Sequence, residues 1–263
     1  MNTAEYHKMH ALEQRYWWFQ GRRRVVHNML AEILAGGRSW GCATAPARHP
    51  DGRLRLVDIG CGTGYLLEDL EKMGVAVGLD FSPVALTYCR QRNLRNVLRG
   101  DAANIPLQSA SVDVITALDL VEHIRDDHRL MGEFFRILRP GGMALMSVPA
   151  HKSLWSNHDV ALHHFRRYEK PEFLSLVTGA GLKPVKYSFS VSSAYLPAAA
   201  FRRIKRLVSK PETSTNPKTD EFPLPGFVNA SLLATMKVEA WLLKHMNLPF
   251  GMSLLCIAQK PLQ

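Results

Sequence analysis

Leu54-Arg55-Leu56-Val57-Asp58-Ile59-Gly60-Cys61-Gly62-Thr63-Gly64-Tyr65-Leu66-Leu67 is the stretch on which the fold turns. Leu54 to Ile59 reads as a short buried strand, and the apolar spacing from Tyr65 to Met73 reads as a helix. The three glycines between them let the backbone turn tightly and let a ligand approach main-chain N–H groups closely, with a helix N-terminus behind that favours a carboxylate or phosphate. A nucleotide-like ligand is therefore expected. The dinucleotide fingerprint GxGxxG needs glycine at position 65, where Tyr65 stands, and no Tyr-x-x-x-Lys pair occurs anywhere. The phosphate-loop pattern GxxxxGK[ST] is also missing, so nucleotide hydrolysis of that type has no support.

Downstream, short apolar runs alternate with amphipathic segments, which marks βα units and a parallel sheet. Val75 to Leu79 is a strand, Pro83 opens a helix to about Asn93, and Asn96 to Arg99 is a short strand. Val112 to Leu118 is a further strand and Asp126 to Leu138 a helix. Arg139-Pro140-Gly141-Gly142 reads as a turn into a strand over Met143 to Val148. A helix from Pro171 to about Ala180 and a strand from Leu182 to Phe189 follow. Met252 to Ala258 closes the series. Asp80 ends the second strand, where an acidic side chain can accept hydrogen bonds from both hydroxyls of a ribose, and Gly100-Asp101-Ala102 ends the third.

Two additions flank this core. Glu5 to Leu34 carries apolar residues at helical spacing and stops at Gly36-Gly37, and a loop rich in Gly, Ala, Pro and Arg runs from Arg38 to Arg53. The insertion Ser192 to Pro249 holds a basic, helix-like Phe201 to Val208, a loop at Lys210 to Pro225, and an apolar helix near Ala230 to His245. The expected organisation is an N-terminal helical lid and linker over 1–53, a core over 54–191, a helical cap over 192–250 and the last core strand in 251–263. The additions are expected to sit near each other over the site.

A chain of 263 residues can bury most of its apolar surface without staples, and 46% hydrophobic residues fit an ordinary globule. Cys42, Cys61, Cys89 and Cys256 form no CxxC pair, which argues against a disulfide scaffold or a cysteine-rich zinc site. The N-terminus has histidines and charges where a signal peptide needs an apolar core, and no apolar run reaches the roughly 18 residues of a spanning helix. A cytoplasmic protein, able to lie against the inner membrane surface, is expected. With 33 Lys and Arg against 23 Asp and Glu the formal charge is +10, which leaves nucleic acid, an anionic membrane surface or an acidic molecule or carrier as partners.

The order DIGCGTG, GLD with Asp80, GDA with Asp101, SVDVITALDLVEHI and ILRPGG resembles the class I S-adenosylmethionine-dependent methyltransferases, in particular the group that includes the ubiquinone and menaquinone methylases. The resemblance covers about residues 54 to 149. It implies a Rossmann-like α/β fold: a mostly parallel seven-stranded sheet with helices on both faces, plus N-terminal helices and a helical insertion before the last strand. It also implies S-adenosyl-L-methionine as cofactor. Carried over by position, Asp58, Gly60, Cys61, Gly62 and Gly64 frame the methionyl part. Asp80 takes the ribose and Phe81 flanks the adenine, Asp101 takes the adenine amino group with Ala102 beside it, and Leu118 and Asp119 wall the reactive sulfonium. Tyr16-Trp17-Trp18-Phe19-x-Gly21-Arg22-Arg23 resembles the WWF-x-x-RR lead-in of some members. His164-Phe165-Arg166-Arg167-Tyr168 resembles a recurring GHxRRY segment, with His163 where that segment has glycine.

Methyl transfer from a sulfonium is an in-line displacement, so an enzyme mainly aligns the acceptor, excludes water and, for O or N acceptors, removes a proton. The candidate bases are His164, His123 and His163, with Glu122 and Asp119 nearby. Asp119, Glu122 and His123 can in principle converge on a divalent cation, but a turn of mixed polar residues is the commoner explanation and no metal is assigned. Basic residues gather at Arg22-Arg23-Arg24 and in the set Arg166, Arg167, Arg202, Arg203, Lys205 and Arg206. The expected acceptor is a small hydrophobic, anionic or carrier-linked molecule, O-methylated in preference to N or C, under a cap whose basic insertion contacts a membrane or carrier protein. The alternatives are an RNA or tRNA methyltransferase and a non-catalytic binding module on the same fold. Against RNA, Asp119-Leu120-Val121-Glu122 lacks the Asp/Asn-Pro-Pro-aromatic signature of exocyclic-amine methylases, and no RNA-binding module is recognisable.

Overall fold

The computed structural model describes residues 3–36, 40, 51–195 and 224–262. Its centre is a seven-stranded sheet of β1 (Arg55–Ile59), β2 (Val75–Asp80), β3 (Val97–Arg99), β4 (Val112–Leu118), β5 (Leu138–Pro149), β6 (Lys183–Ser190) and β7 (Ser253–Gln259). The spatial order is β3-β2-β1-β4-β5-β7-β6. Every neighbouring pair from β3 to β5 is parallel, and β7 runs antiparallel between β5 and β6. The order reverses between β1 and β4, and a crevice at such a switch point, beyond the carboxyl ends of the strands, is where open α/β sheets bind ligands.

Two-residue periodicity divides the core between the faces of the sheet. Val57 and Ile59 point with Ile115, Ala144 and Met146 to one side, where α5 (Asp127–Ile137) and α7 (Lys170–Gly179) contribute Phe134, Ile137, Phe173 and Val177. Leu56, Val114, Met143 and Leu145 face the other side, against α2 (Trp17–Leu34), α4 (Pro83–Gln91) and α8 (Gly226–His245). Along α2 the buried positions Val25, Val26, Met29, Leu30 and Ile33 recur at helical spacing. Ser82 caps α4 by accepting from the Ala85 N–H, with Pro83 in the first turn, and Asp126 caps α5 by accepting from the Arg129 N–H at 2.9 Å. The described residues also include helices α1 (Thr3–Leu12), α3 (Leu67–Leu70) and α6 (Asn157–Ala161).

Two expectations are corrected. The helix expected over Tyr65 to Met73 shrinks to the single turn of α3, flanked by i→i+3 and i→i+4 turns such as Glu68 N–H to Gly64 O and Met73 N–H to Leu70 O. So short a turn has little dipole to offer an anion. Arg139 to Gly142 is no turn between elements: β5 starts at Leu138, pairs with Val112, and absorbs the glycines as an irregularity in register, with Gly141 at φ +79°.

The two additions meet. Asn28 Nδ2 donates to Ala240 O at 3.0 Å, and Asn229 Oδ1 accepts from the Trp17 N–H at 2.9 Å. The basic stretch Phe201 to Val208 and the loop Lys210 to Pro225 up to residue 223 lie outside the described residues.

Candidate cofactor and acceptor site

The glycine loop leaves β1 with Gly60, Gly62 and Gly64 at φ +73°, +55° and +80°, conformations that cost residues with a Cβ about 1–2 kcal/mol. The Gly60 and Cys61 N–H groups donate to Leu79 O at 2.7 and 3.1 Å, locking the loop to the end of β2. Asp80 ties the two strand ends together. Its Oδ2 accepts from the Gly62 N–H at 2.9 Å and its Oδ1 from the Ser82 N–H at 2.8 Å. Oδ2 keeps a second lone pair for a ligand hydroxyl, whereas Oδ1 also accepts from the Tyr6 hydroxyl at 3.5 Å. Burial raises the Asp80 carboxyl, and the hydrogen bonds from Ser82 and Gly62 oppose that rise.

Phe81 is 71% exposed beside Asp80. Asp101 is exposed at the end of the neighbouring strand, and its Oδ1 accepts from the Ala103 N–H at 2.9 Å, while Ala102 is buried. Asp58, on β1, accepts from Thr116 Oγ1 at 2.6 Å. Burial pushes its carboxyl up to about 7, against the Thr116 hydrogen bond and the charge of Arg22. A hydrogen bond with Cys89, with burial added, holds the Cys61 thiol protonated, so it lines the loop without acting as a nucleophile. Leu118 and Asp119 end β4 on the other side of β1. A glycine loop pinned to the end of β2, an acceptor carboxylate beside it on Asp80, and the exposed Phe81 ring and Asp101 carboxylate next to that suit a ligand with hydroxyls and a flat base.

Several residues of the site carry no sequence motif. Glu13, 1% exposed, accepts from Thr63 Oγ1 and from the Arg92 guanidinium, and His10 Nδ1 lies 2.9 Å from its Oε1. Tyr6 OH lies 3.5 Å from Asp80 Oδ1. The N-terminal segment therefore sits on the glycine loop and the ribose carboxylate. Arg22 pairs with Asp119 at 2.5 Å, and Ser147 Oγ donates to Asp119 Oδ1 at 2.8 Å. Beyond this pair, Trp18, Arg22, Ser147, Val191, Met236 and Leu255 line a narrow, mostly apolar cleft between α2, α8 and the sheet.

The three candidate bases part company. His163 is exposed at φ +59°, so the histidine keeps the left-handed backbone that a glycine would supply there. His123 and His164 stack edge to face with centroids 4.6 Å apart. Burial, with the charge of His164 added, lowers His123 to about 3, so it stays neutral at physiological pH. His164 Nδ1 lies 3.0 Å from Asp159 Oδ1. Burial pushes Asp159 upward, but the hydrogen bonds of His164 and Arg167 hold it well below the usual carboxylate range.

The reading of Arg22, Arg23, Arg166 and Arg167 as a basic surface is also corrected. Arg23 donates to both Asp69 oxygens, Arg166 pairs with Asp127 at 2.7 Å, and Arg167, 4% exposed, pairs with Asp159 at 2.7 Å. Long guanidinium side chains next to the sheet edge find internal carboxylates, which composition cannot reveal.

The sheet order and this crevice are those of the Rossmann-like fold seen in S-adenosylmethionine-dependent methyltransferase structures. Residues 57–146 match the family model described as a methyltransferase domain. A Mycolicibacterium smegmatis protein named "Probable S-adenosylmethionine-dependent methyltransferase" is 30% identical over 178 residues, 65% of this chain and 62% of its own length. Malonyl-[acyl-carrier protein] O-methyltransferase of Pectobacterium atrosepticum is 31% identical over 156 residues, covering 59% of this chain and 58% of that protein. The chain thus spans less than two thirds of the length of these curated relatives. Among solved structures, a chain from the complex between the Haloferax volcanii Trm112 methyltransferase activator and a methyltransferase superposes with TM-score 0.56 at 21% identity, covering 98% of this chain and 94% of its own. An S-adenosylmethionine-dependent methyltransferase of Thermotoga maritima does so with TM-score 0.53 at 16% identity, covering 98% and 95%. These structural likenesses bear on the fold.

Proposed function

We propose that this chain is a methyltransferase that moves a methyl group from S-adenosylmethionine to an oxygen of a small hydrophobic, anionic or carrier-linked acceptor. The observation that carries the reading is Asp80 at the end of β2, its carboxylate bridging the glycine loop and the start of α4 at the switch point of the sheet. When bound, S-adenosylmethionine supplies an electrophilic methyl group on a sulfonium sulfur. The chain's own groups then divide the work. Gly60, Cys61, Gly62, Gly64 and Asp58 frame the methionyl end, Asp80 and Phe81 the ribose and adenine, Asp101 and Ala102 the adenine edge, and Leu118 and Asp119 the wall below the reacting centre. The N-terminal segment closes over the loop and excludes water.

The acceptor is expected beside Arg22 and Ser147, where an apolar seam with two polar groups has to open to admit a hydrophobic body with a polar end. Of the candidate bases, His164 is the one oriented by a carboxylate, that of Asp159. His123 is too weak a base and His163 points to the exterior loop. The names of two relatives, malonyl-[acyl-carrier protein] O-methyltransferase and 2-methyl-6-phytyl-1,4-hydroquinone methyltransferase of Oryza sativa, support a carrier-linked or quinol-like acceptor. No described helix is long and apolar enough to cross a membrane, which is compatible with a cytoplasmic site of action and peripheral membrane contact.

Isothermal titration with S-adenosylmethionine tests the reading. Wild type releases heat at one site, and Asp80→Ala weakens binding at least about 100-fold, as expected for losing two charge-assisted hydrogen bonds at about 1.5–3 kcal/mol each. No heat with the wild type sinks it in favour of a non-catalytic module. A screen of quinol, fatty-acid and acyl-carrier acceptors for S-adenosylhomocysteine release then selects the acceptor.

A further inference from the structure

Glu122 stands out among the described residues. It is 0% exposed, and neither carboxylate oxygen has a hydrogen-bond partner. An unpaired buried carboxyl group costs several kcal/mol unless something meets it. Two imidazoles face it. Glu122, His123 and His164 each offer one ligand atom within 4.8 Å of the others, and His164 Nε2 is 4.0 Å from Glu122 Oε1. We propose that Glu122, His123 and His164 bind a divalent first-row transition cation.

The surroundings prepare each ligand. His164 is held through Nδ1 by Asp159, which fixes its tautomer and leaves Nε2 turned to Glu122. A carboxylate behind a metal-binding imidazole is the usual way such a ligand is oriented. His123 stacks edge to face on His164 with ring centroids 4.6 Å apart, which sets the two imidazoles side by side. The three residues come from two segments, a 3-10 turn over Val121–His123 after β4 and the loop after α6. The Phe165 N–H, donating to Glu122 O at 2.9 Å, and the Tyr168 hydroxyl, donating to Asp127 at 2.7 Å, clamp these segments together. A cation about 2.0–2.2 Å from each atom needs ligand atoms roughly 3.3 Å apart, so the side chains close by about an ångström onto it.

Asp119 is not a ligand, because Arg22 and Ser147 hold its carboxylate. The set therefore differs from the trio Asp119, Glu122 and His123 considered from sequence, where no metal was assigned. Two imidazoles and one carboxylate suit zinc, manganese, cobalt or iron(II) better than magnesium, which prefers an all-oxygen shell. Three protein ligands leave a position open. The site adjoins Asp119, so an acceptor hydroxyl in that open position is polarised, and its proton leaves to solvent with His164 serving as ligand in place of base. That use of the cation rests on the proposed methyl transfer; binding of the cation does not.

The test uses chelator-stripped full-length protein titrated with Co2+ in the absence of cofactor and acceptor. The expected result is one equivalent bound, visible ligand-field bands, and their loss on adding Zn2+. Glu122→Gln, His123→Ala and His164→Ala each weaken Co2+ binding at least about tenfold, with circular dichroism reporting whether each variant is folded. Wild type that shows no bands, and retains less than a tenth of an equivalent of zinc by elemental analysis after gel filtration, overturns the proposal. So does a folded His164→Ala that binds Co2+ as tightly as wild type. Titration of the same stripped protein with S-adenosylmethionine separates the two claims: heat without metal binding leaves the methyltransferase reading standing alone, and Co2+ binding without heat does the reverse.

Discussion

At the scale of single residues, Asp58 has the clearest consequence. The folded chain keeps its proton up to about pH 7, while the unfolded chain releases it near 3.8, the ordinary value for an aspartate. The folded state therefore binds more protons between those values, and stability falls as pH rises from about 4 to 7 and then levels. The penalty is on the order of 3–4 kcal/mol above pH 7. Asp58→Asn keeps an oxygen for the Thr116 hydroxyl and removes the charge. Its urea midpoint is expected to exceed that of wild type at pH 8 and to converge with it near pH 4. A constant difference across that range would show that Asp58 is not the titrating group.

At the scale of elements, the contact between α2 and α8 and the seat of the N-terminal segment are the joints that matter. A Cβ on Gly21 would fall 2.6 Å from Met236 Cβ, which is close to the backbone of α8 and hard to move. Gly21→Ala gains about 1 kcal/mol of helix propensity but meets an overpacking cost of about 1–3 kcal/mol. The net expectation is a Tm lowered by a few degrees; an unchanged or higher Tm in calorimetry would mean that the helices separate freely. Helix α1 itself buries no residue fully, so its attachment depends on Tyr6, His10 and Glu13. Glu13→Ala leaves Arg92 with Glu68 and the Thr63 carbonyl but frees the segment from the loop. S-adenosylmethionine affinity is expected to fall roughly tenfold, as it does when the closed form becomes a minority, with global stability changed far less. Equal affinity by titration would show that the segment is not part of the cofactor site.

At the scale of the whole molecule, the +10 charge acquires a different meaning. Arg22, Arg23, Arg166 and Arg167 are consumed by Asp119, Asp69, Asp127 and Asp159. Paired guanidinium groups do not release counterions from a polyanion. The protein is expected to leave heparin at modest salt and to purify with a protein-like ratio of absorbance at 260 and 280 nm. Tight, steeply salt-dependent retention with co-purifying nucleic acid would restore the RNA reading.

The sheet and its cofactor crevice were legible because their determinants are local. Gly60, Gly62 and Gly64 adopt positive φ within one loop, Asp80 follows at the end of the next strand, and alternating apolar runs set the order of strand and helix. The strand Val112 to Leu118 was read to its exact bounds. Where local signals compete, the reading slipped: the apolar spacing after Tyr65 suggested a helix that a short connection into β2 holds to one turn. The chemistry of the acceptor side was not legible. Glu13 meets Thr63 and Arg92, Arg22 meets Asp119, and His164 meets Glu122, all across tens of residues and between elements whose packing no short motif encodes. Sequence alone was enough for the α/β architecture and for the glycine loop that follows β1, since backbone conformation and hydrophobic period are properties of neighbouring residues. Only the tertiary structure decided which arginines are spent internally and that an unpartnered buried glutamate faces two imidazoles, because burial and pairing are set by distant segments brought into contact.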